Sequence, residues 1–161
     1  MVIVLFGVSG CGKSTTGQLL ADRLDWLFID ADDHHPVENI KKMRKGIALN
    51  DEDRRPWLQS LADMIATRNH QGHDTILACS ALKQNYRDLL GIDQQHIVSV
   101  FLEGSVALIQ SRLQKRKHAF MNDNLLRSQF DTLEIPDDGL IINVAEKPLT
   151  ICNEIAGKLN L

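Results

Sequence analysis

Val2-Ile3-Val4-Leu5-Phe6-Gly7-Val8-Ser9-Gly10-Cys11-Gly12-Lys13-Ser14 is the stretch that decides the fold. Its first five residues are continuously apolar, the pattern of a short strand buried on both faces of a sheet. From Gly7 the chain matches G-x-x-x-x-G-K-S in full, and Leu19, Leu20 and Leu24 then give the next segment a helical stripe. Strand, glycine-rich turn and helix in that order form a phosphate cradle. The glycines let the backbone curl until successive N–H groups point inward, at the positive end of a helix. The candidate phosphate contacts are Gly7, Val8, Ser9, Gly10, Cys11, Gly12, Lys13, Ser14 and Thr15. Lys13 brings a cation to the β- and γ-phosphates, and Ser14 offers a hydroxyl to Mg²⁺. The loop predicts a bound nucleoside triphosphate; it does not say which reaction follows.

Working outward, the same alternation continues. Trp26–Ile29, Thr75–Ala78, Ile97–Leu102 and Leu140–Val144 read as further strands. Between them, Trp57, Leu61 and Ile65, then Val106, Ile109 and Leu113, and finally Ile151, Ile155 and Leu159 recur at helical spacing, with Pro148 placed to open the last helix. Such alternation predicts an α/β fold of three layers, a parallel sheet with helices on both faces. The 161 residues carry no repeat and no linker, so one domain over 1–161 is expected. Net charge is −3 without a basic stripe, which argues against nucleic acid as a partner. No apolar run is long enough for a membrane span, and no basic leader precedes the first strand, so neither membrane nor secretion is expected. Cys11, Cys79 and Cys152 are odd in number and far apart, which predicts neither a disulfide framework nor zinc and points to the reducing cytoplasm. Two polar excursions break the pattern, at 32–53 and about 115–123. In α/β domains such segments carry ligand contacts or lids.

Motor ATPases and GTPases hold Mg²⁺ with a carboxylate at the end of a second buried strand. Here Thr75–Ala78 runs into Cys79-Ser80, and no Asn-Lys-x-Asp guanine reader occurs. Carboxylates instead follow the strand after the phosphate loop, in Phe28-Ile29-Asp30-Ala31-Asp32-Asp33. Alternation along an extended chain would put Asp30 and Asp32 on one side, facing the crevice beyond the sheet. A carboxylate there can orient an acceptor hydroxyl and take its proton, or hold magnesium. We assign Asp32 to the first task and Asp30, with Ser14, to the second; the sequence also permits the exchange of the two roles.

These residues and several later motifs together resemble the P-loop gluconate kinases, from about Val4 to Pro136. The resemblance rests on Gly7–Ser14, on Asp30-Ala31-Asp32-Asp33-His34-His35-Pro36 with Asn39-Ile40 and Lys42-Met43, and on Gly46-Ile47. It continues through Leu49-Asn50-Asp51, Asp53-Arg54, Pro56-Trp57-Leu58, Cys79-Ser80-Ala81-Leu82-Lys83, Tyr86-Arg87-Asp88 and Ser128-Gln129-Phe130-x-Thr132-Leu133-Glu134. It implies a five-stranded P-loop kinase fold, like that of the shikimate and nucleoside monophosphate kinases, with a mobile lid. It also implies a homodimer and ATP-dependent phosphorylation of D-gluconate at its 6-hydroxyl.

A polyol acid needs a cation for its carboxylate and polar groups for its hydroxyls. Arg54 suits the carboxylate, because a guanidinium can grip it with two parallel hydrogen bonds. Lys83 and Arg87, four apart near a strand end, are expected on one helical face beside the crevice. His35 is read either as a donor to a sugar hydroxyl or as a structural residue. Trp57 is read as core. In the lid segment Arg112 and Arg116 lie one helical turn apart and are expected to face the triphosphate together. Where the family usually has Gly-His-Phe, this chain has His118-Ala119-Phe120, so no role is given to His118. Two rival readings remain: a kinase of the same fold acting on shikimate or another sugar acid, and an ATP-binding regulator without chemistry.

Overall fold

In the computed structural model, which describes residues 1–115 and 123–161, Val2–Phe6 forms β1, buried along its whole length. Its neighbours are β3 (Thr75–Ala78) and β4 (Ile97–Glu103), and the edges are β2 (Leu27–Asp30) and β5 (Leu140–Asn143). The order is β2-β3-β1-β4-β5, and every pairing is parallel. The helices are α1 (Lys13–Leu24), α2 (Val37–Arg44), α3 (Asp51–His70), α4 (Gln84–Leu89), α5 (Val106–Lys115), α6 (Asp123–Thr132) and α7 (Pro148–Lys158).

The apolar run of β1 feeds two cores, because alternate side chains leave a strand on opposite faces. Ile3 and Leu5 join Leu20, Ile109, Ile151 and Ile155 on one side. Val2, Val4 and Phe6 join Trp57, Leu58, Leu61 and Ile65 on the other. The expected stripes of α3 and α7 are thus the inward faces of those helices, as are Ile109 and Leu113 of α5, whereas Val106 at the start of α5 is exposed. The excursion expected at 32–53 contains a 3₁₀ turn (Ala31–His34), α2 and the start of α3.

Parallel strands bring their C-terminal ends to one rim. From β1 the chain enters the phosphate loop, from β2 it reaches Asp30, and from β3 it enters the Cys79–Lys83 loop. Gly7 N–H donates to Ser80 O at 3.3 Å and Cys79 N–H to Leu5 O at 3.0 Å, so the first and third of these loops are tied together. The chain goes from β1 to one side and returns past it to β4, which makes this rim the switch point where open α/β sheets bind ligands.

Candidate active site

The phosphate loop closes on its own lysine. Lys13 Nζ donates to Gly7 O at 3.0 Å and Val8 O at 3.1 Å, while Gly12 at φ 104° precedes α1 in a conformation that a side chain would strain. At Gly10, φ 83°, a Cβ would also lie 2.9 Å from the Leu113 side chain, so α5 packs against the loop too closely for any other residue. Cys11 is buried there and serves as a small loop side chain. Cys79, at the end of β3, is also buried, which pushes its thiol up to about 12 and leaves it no nucleophilic role.

Asp30 ends β2 and turns toward the loop. Its Oδ2 accepts from Ser14 Oγ at 2.6 Å, and its Oδ1 accepts from Asp32 N–H at 3.1 Å, capping the 3₁₀ turn. The expectation of an extended chain through Asp32 is therefore corrected: the cap bends the backbone immediately after Asp30. Both carboxylates still lie close enough to act on each other. Crowding by protein atoms raises the pKa of Asp32, Asp30 raises it further, and Lys13 and His35 pull it down. The Asp32 side chain is 80% exposed, so water limits the rise.

Trp57, read from the sequence as core alone, builds this corner. Its indole N–H donates to Ala31 O at 3.0 Å, and its ring stacks on His35 at 4.0 Å between centroids. His35 is nearly enclosed, and burial lowers its pKa, which favours the neutral imidazole. Asn39 Nδ2 lies 3.5 Å from Nδ1, an arrangement that leaves the proton on Nε2, 3.8 Å from Asp32 Oδ1. Asn39 also donates to Asp53 O at 3.0 Å, and Lys42 pairs with Asp53 at 2.6 Å. Asp53 in turn forms a reciprocal capping box with Asn50 that starts α3. The polar motif from Asn39 to Asp53 thus fixes the entry of the helix that carries Arg54.

Arg54 is half-buried. Its Nη1 donates to Leu49 O at 2.6 Å, and its guanidinium lies 5.8 Å from the Tyr86 ring centroid. Among the described residues the rest of that guanidinium makes no hydrogen bond. Its charge acts on both His35 and Asp51.

Lys83 and Arg87 do not share a helical face. Lys83 is the residue before α4, so helical spacing does not apply to it. Its Nζ donates to both oxygens of Asp51 at 2.8 Å, and Tyr86 Oη donates to the same carboxylate. Hydrogen bonds from Lys83 and then Tyr86 hold the Asp51 carboxyl below its usual range. Arg87 is buried and faces the protein. It donates to Ala81 O at 3.0 Å, Leu82 O at 3.1 Å, Glu134 O at 3.0 Å and Gln84 Oε1 at 2.8 Å, and its guanidinium covers the Phe6 ring at 4.9 Å. Every direction is used, so a carboxylate or sugar contact, expected from the sequence, is not the geometry found. Arg87 instead braces Ala81, whose φ of 37° is strained for a residue with a Cβ. Arg87→Met should lower Tm by roughly 5–10 °C, since two buried carbonyls and a part-buried one lose their donor at about 1 kcal/mol each. A thermal melt within 2–3 °C of the parent, by the same scaling, would refute the brace.

Arg112 bridges from α5 to Cys11 O at 3.5 Å and to Val144 O, joining the phosphate loop to the turn after β5. Arg116, His118 and Ala119 lie outside the described residues. Among the described residues no cluster of His, Cys, Asp and Glu fits a metal by itself. Ser14 and Asp30 are nevertheless hard oxygen donors already within 2.6 Å, the chemistry that Mg²⁺ takes beside a triphosphate.

Fold and site together define a P-loop small-molecule kinase. The family model for shikimate kinase matches residues 9–146. The chain is 43% identical over 169 residues to the gluconokinase of Arabidopsis thaliana, covering 96% of this chain and 89% of that protein. It is 40% identical over 152 residues to the thermoresistant gluconokinase of Escherichia coli strain K12, covering 92% and 86%. The crystal structure of a gluconokinase from Sinorhizobium meliloti superposes with a TM-score of 0.82 at 36% identity, over 99% of this chain and 95% of that one. The chain belongs to the gluconokinase family.

Proposed function

We propose that the protein transfers the γ-phosphoryl group of ATP to the 6-hydroxyl of D-gluconate, giving 6-phospho-D-gluconate and ADP. The observation that carries the reading is a polar crevice with two distinct ends. The phosphate loop, Lys13 and the Ser14–Asp30 pair form the first end; Asp32 feels both Lys13 and His35; and His35 in turn feels the underused guanidinium of Arg54, taken here as the second end. Such a site suits an acceptor with a hydroxyl at one end and an acid at the other.

In this reading the acceptor oxygen attacks the γ-phosphorus, the bond to the β–γ bridging oxygen breaks, and the hydroxyl proton passes to Asp32. Lys13 follows the charge that gathers on the transferred group. Ser14 and Asp30 would hold Mg²⁺, which supplies charge neutralisation on the β- and γ-oxygens when bound. Lys83, held by Asp51, and His35, held by Trp57, are the proposed polar contacts for the hydroxyls. Arg112 and Arg116 remain the proposed cations on the triphosphate side. Among the described residues no helix is long and apolar enough to cross a membrane. A cytoplasmic homodimer belongs to the same reading, and light scattering of the purified protein tests the dimer.

A coupled ADP-release assay with gluconate, shikimate, other sugar acids and an uncharged polyol tests the acceptor. Gluconate should be turned over with the highest kcat/KM, and a better shikimate rate would replace the reading. A protein that binds ATP but releases no ADP with any acceptor on the panel would fit the regulator instead. In Arg54→Ala, KM for gluconate should rise by about 10-fold or more, the cost of a lost charge-assisted pair, while KM for ATP barely moves. Equal changes in both would show that Arg54 does not grip the carboxylate.

A further inference from the structure

The motif Ser128–Glu134 has no part in the chemistry above, yet it touches both halves of the site. Gln129, on α6, reaches the phosphate loop across 120 positions of sequence: its Oε1 accepts from Ser9 N–H at 2.7 Å, and its Nε2 donates to Ser9 Oγ at 3.3 Å. A backbone N–H can only donate, so these two contacts also fix which end of the amide is oxygen. Five residues on, Glu134 N–H donates to Leu82 O at 2.9 Å, its Oε2 accepts from Gln84 N–H at 2.6 Å, and its carbonyl takes the Arg87 bond. Between these ends Leu133 packs against both cores. The segment is a strap from the phosphate loop to the loop that carries Lys83.

The Gln129 contact has a chemical consequence. Because Nε2 donates to Ser9 Oγ, the hydroxyl proton of Ser9 is not needed by Gln129 and can be given to a ligand. Ser9 is the third residue of a loop whose inward N–H groups and lysine converge on the terminal phosphates. We propose that Gln129 is a positioning residue for phosphoryl transfer: it locks Ser9 so that its hydroxyl donates to the γ-phosphoryl oxygens, and the strap keeps that donor in register with the acceptor loop. This inference rests on the kinase reading but not on gluconate as the acceptor.

The test uses Gln129→Met, which preserves side-chain length and loses both hydrogen bonds, with Ser9→Ala and the double variant. Each single variant should lower kcat by about 10-fold or more, the usual scale for a misplaced donor. Tm and ADP affinity should stay close to the parent's. The double variant should fall little below the worse single one, because Gln129 acts through Ser9. Calorimetry should show each variant losing preference for the imido analogue of ATP over ADP, a readout that needs no acceptor. A parent inactive on gluconate would sink the gluconate reading and leave that affinity ratio to decide the role of Gln129. Losses in kcat that multiply, an unchanged triphosphate preference, or a Gln129→Met kcat within about 2-fold of the parent would overturn the proposal.

Discussion

Lys13→Ala should lower kcat by about 10³-fold or more and weaken ATP binding, the largest effect expected in this site. The lysine now donates to Gly7 O and Val8 O, two carbonyls of the loop that it closes. That geometry holds the ammonium at the mouth of the cradle, where the terminal phosphates of a nucleotide would meet it. One neutral donor aimed at a developing oxyanion is worth about 10²–10³ in rate, and an ammonium adds full charge to the hydrogen bond. The same cation also steadies Asp32 in its charged form, so its loss reaches the proton acceptor as well. Lys13→Arg should not restore the rate, since a planar fork cannot follow a moving phosphoryl group as a compact ammonium does. The measurement is kcat at saturating ATP and acceptor, with ADP affinity by calorimetry and a melt to exclude unfolding. An alanine variant within 10-fold of the parent would remove the loop from the mechanism.

The parts of this protein legible in sequence are those written in local pattern. A continuous apolar run followed by a complete phosphate-loop match specifies β1, the turn and α1 without tertiary information, and the alternation of periods gives the parallel sheet. Side-chain partners distant in sequence were less legible. Arg87 looked like a crevice cation because helical spacing was extended back to Lys83. The helix starts one residue later, and the guanidinium turns inward to hold the strained Ala81. Asp30 and Asp32 looked like neighbours on an extended strand, but Asp30 caps its own turn and ends the strand there. Trp57 has the spacing of a core residue and is one; its platform for His35 appears only when the 3₁₀ turn is folded above it. Asp51 gave no local sign of its role, since its partners Lys83 and Tyr86 lie more than 30 positions away.

Asp32→Asn should lower kcat by about 10²-fold or more with little change in ATP affinity, whereas Asp30→Asn should chiefly raise the Mg²⁺ concentration needed for half-maximal rate. Two carboxylates with interchangeable roles in sequence have different contacts in the fold. Asp30 is committed on both oxygens, to Ser14 Oγ and to the Asp32 N–H. In the proposed site its contact with the loop serine would put it on the metal side of the phosphates, and a carboxylate so engaged is poorly placed to receive a proton from an acceptor. Asp32 has an open side chain, and His35 Nε2, 3.8 Å from its Oδ1, lies beyond hydrogen-bond distance. Crowding and the Asp30 charge raise its affinity for a proton above that of an ordinary aspartate, which is the direction a general base requires. Asparagine keeps the shape and can still orient a hydroxyl, but it cannot take the proton, so the loss should fall on kcat rather than on KM. The decisive experiment titrates Mg²⁺ against rate for both variants at saturating ATP and gluconate. If Asp30→Asn takes the larger loss in kcat and Asp32→Asn the shifted Mg²⁺ requirement, the roles are exchanged, and the bond from Ser14 to Asp30 marks the base rather than the metal shell.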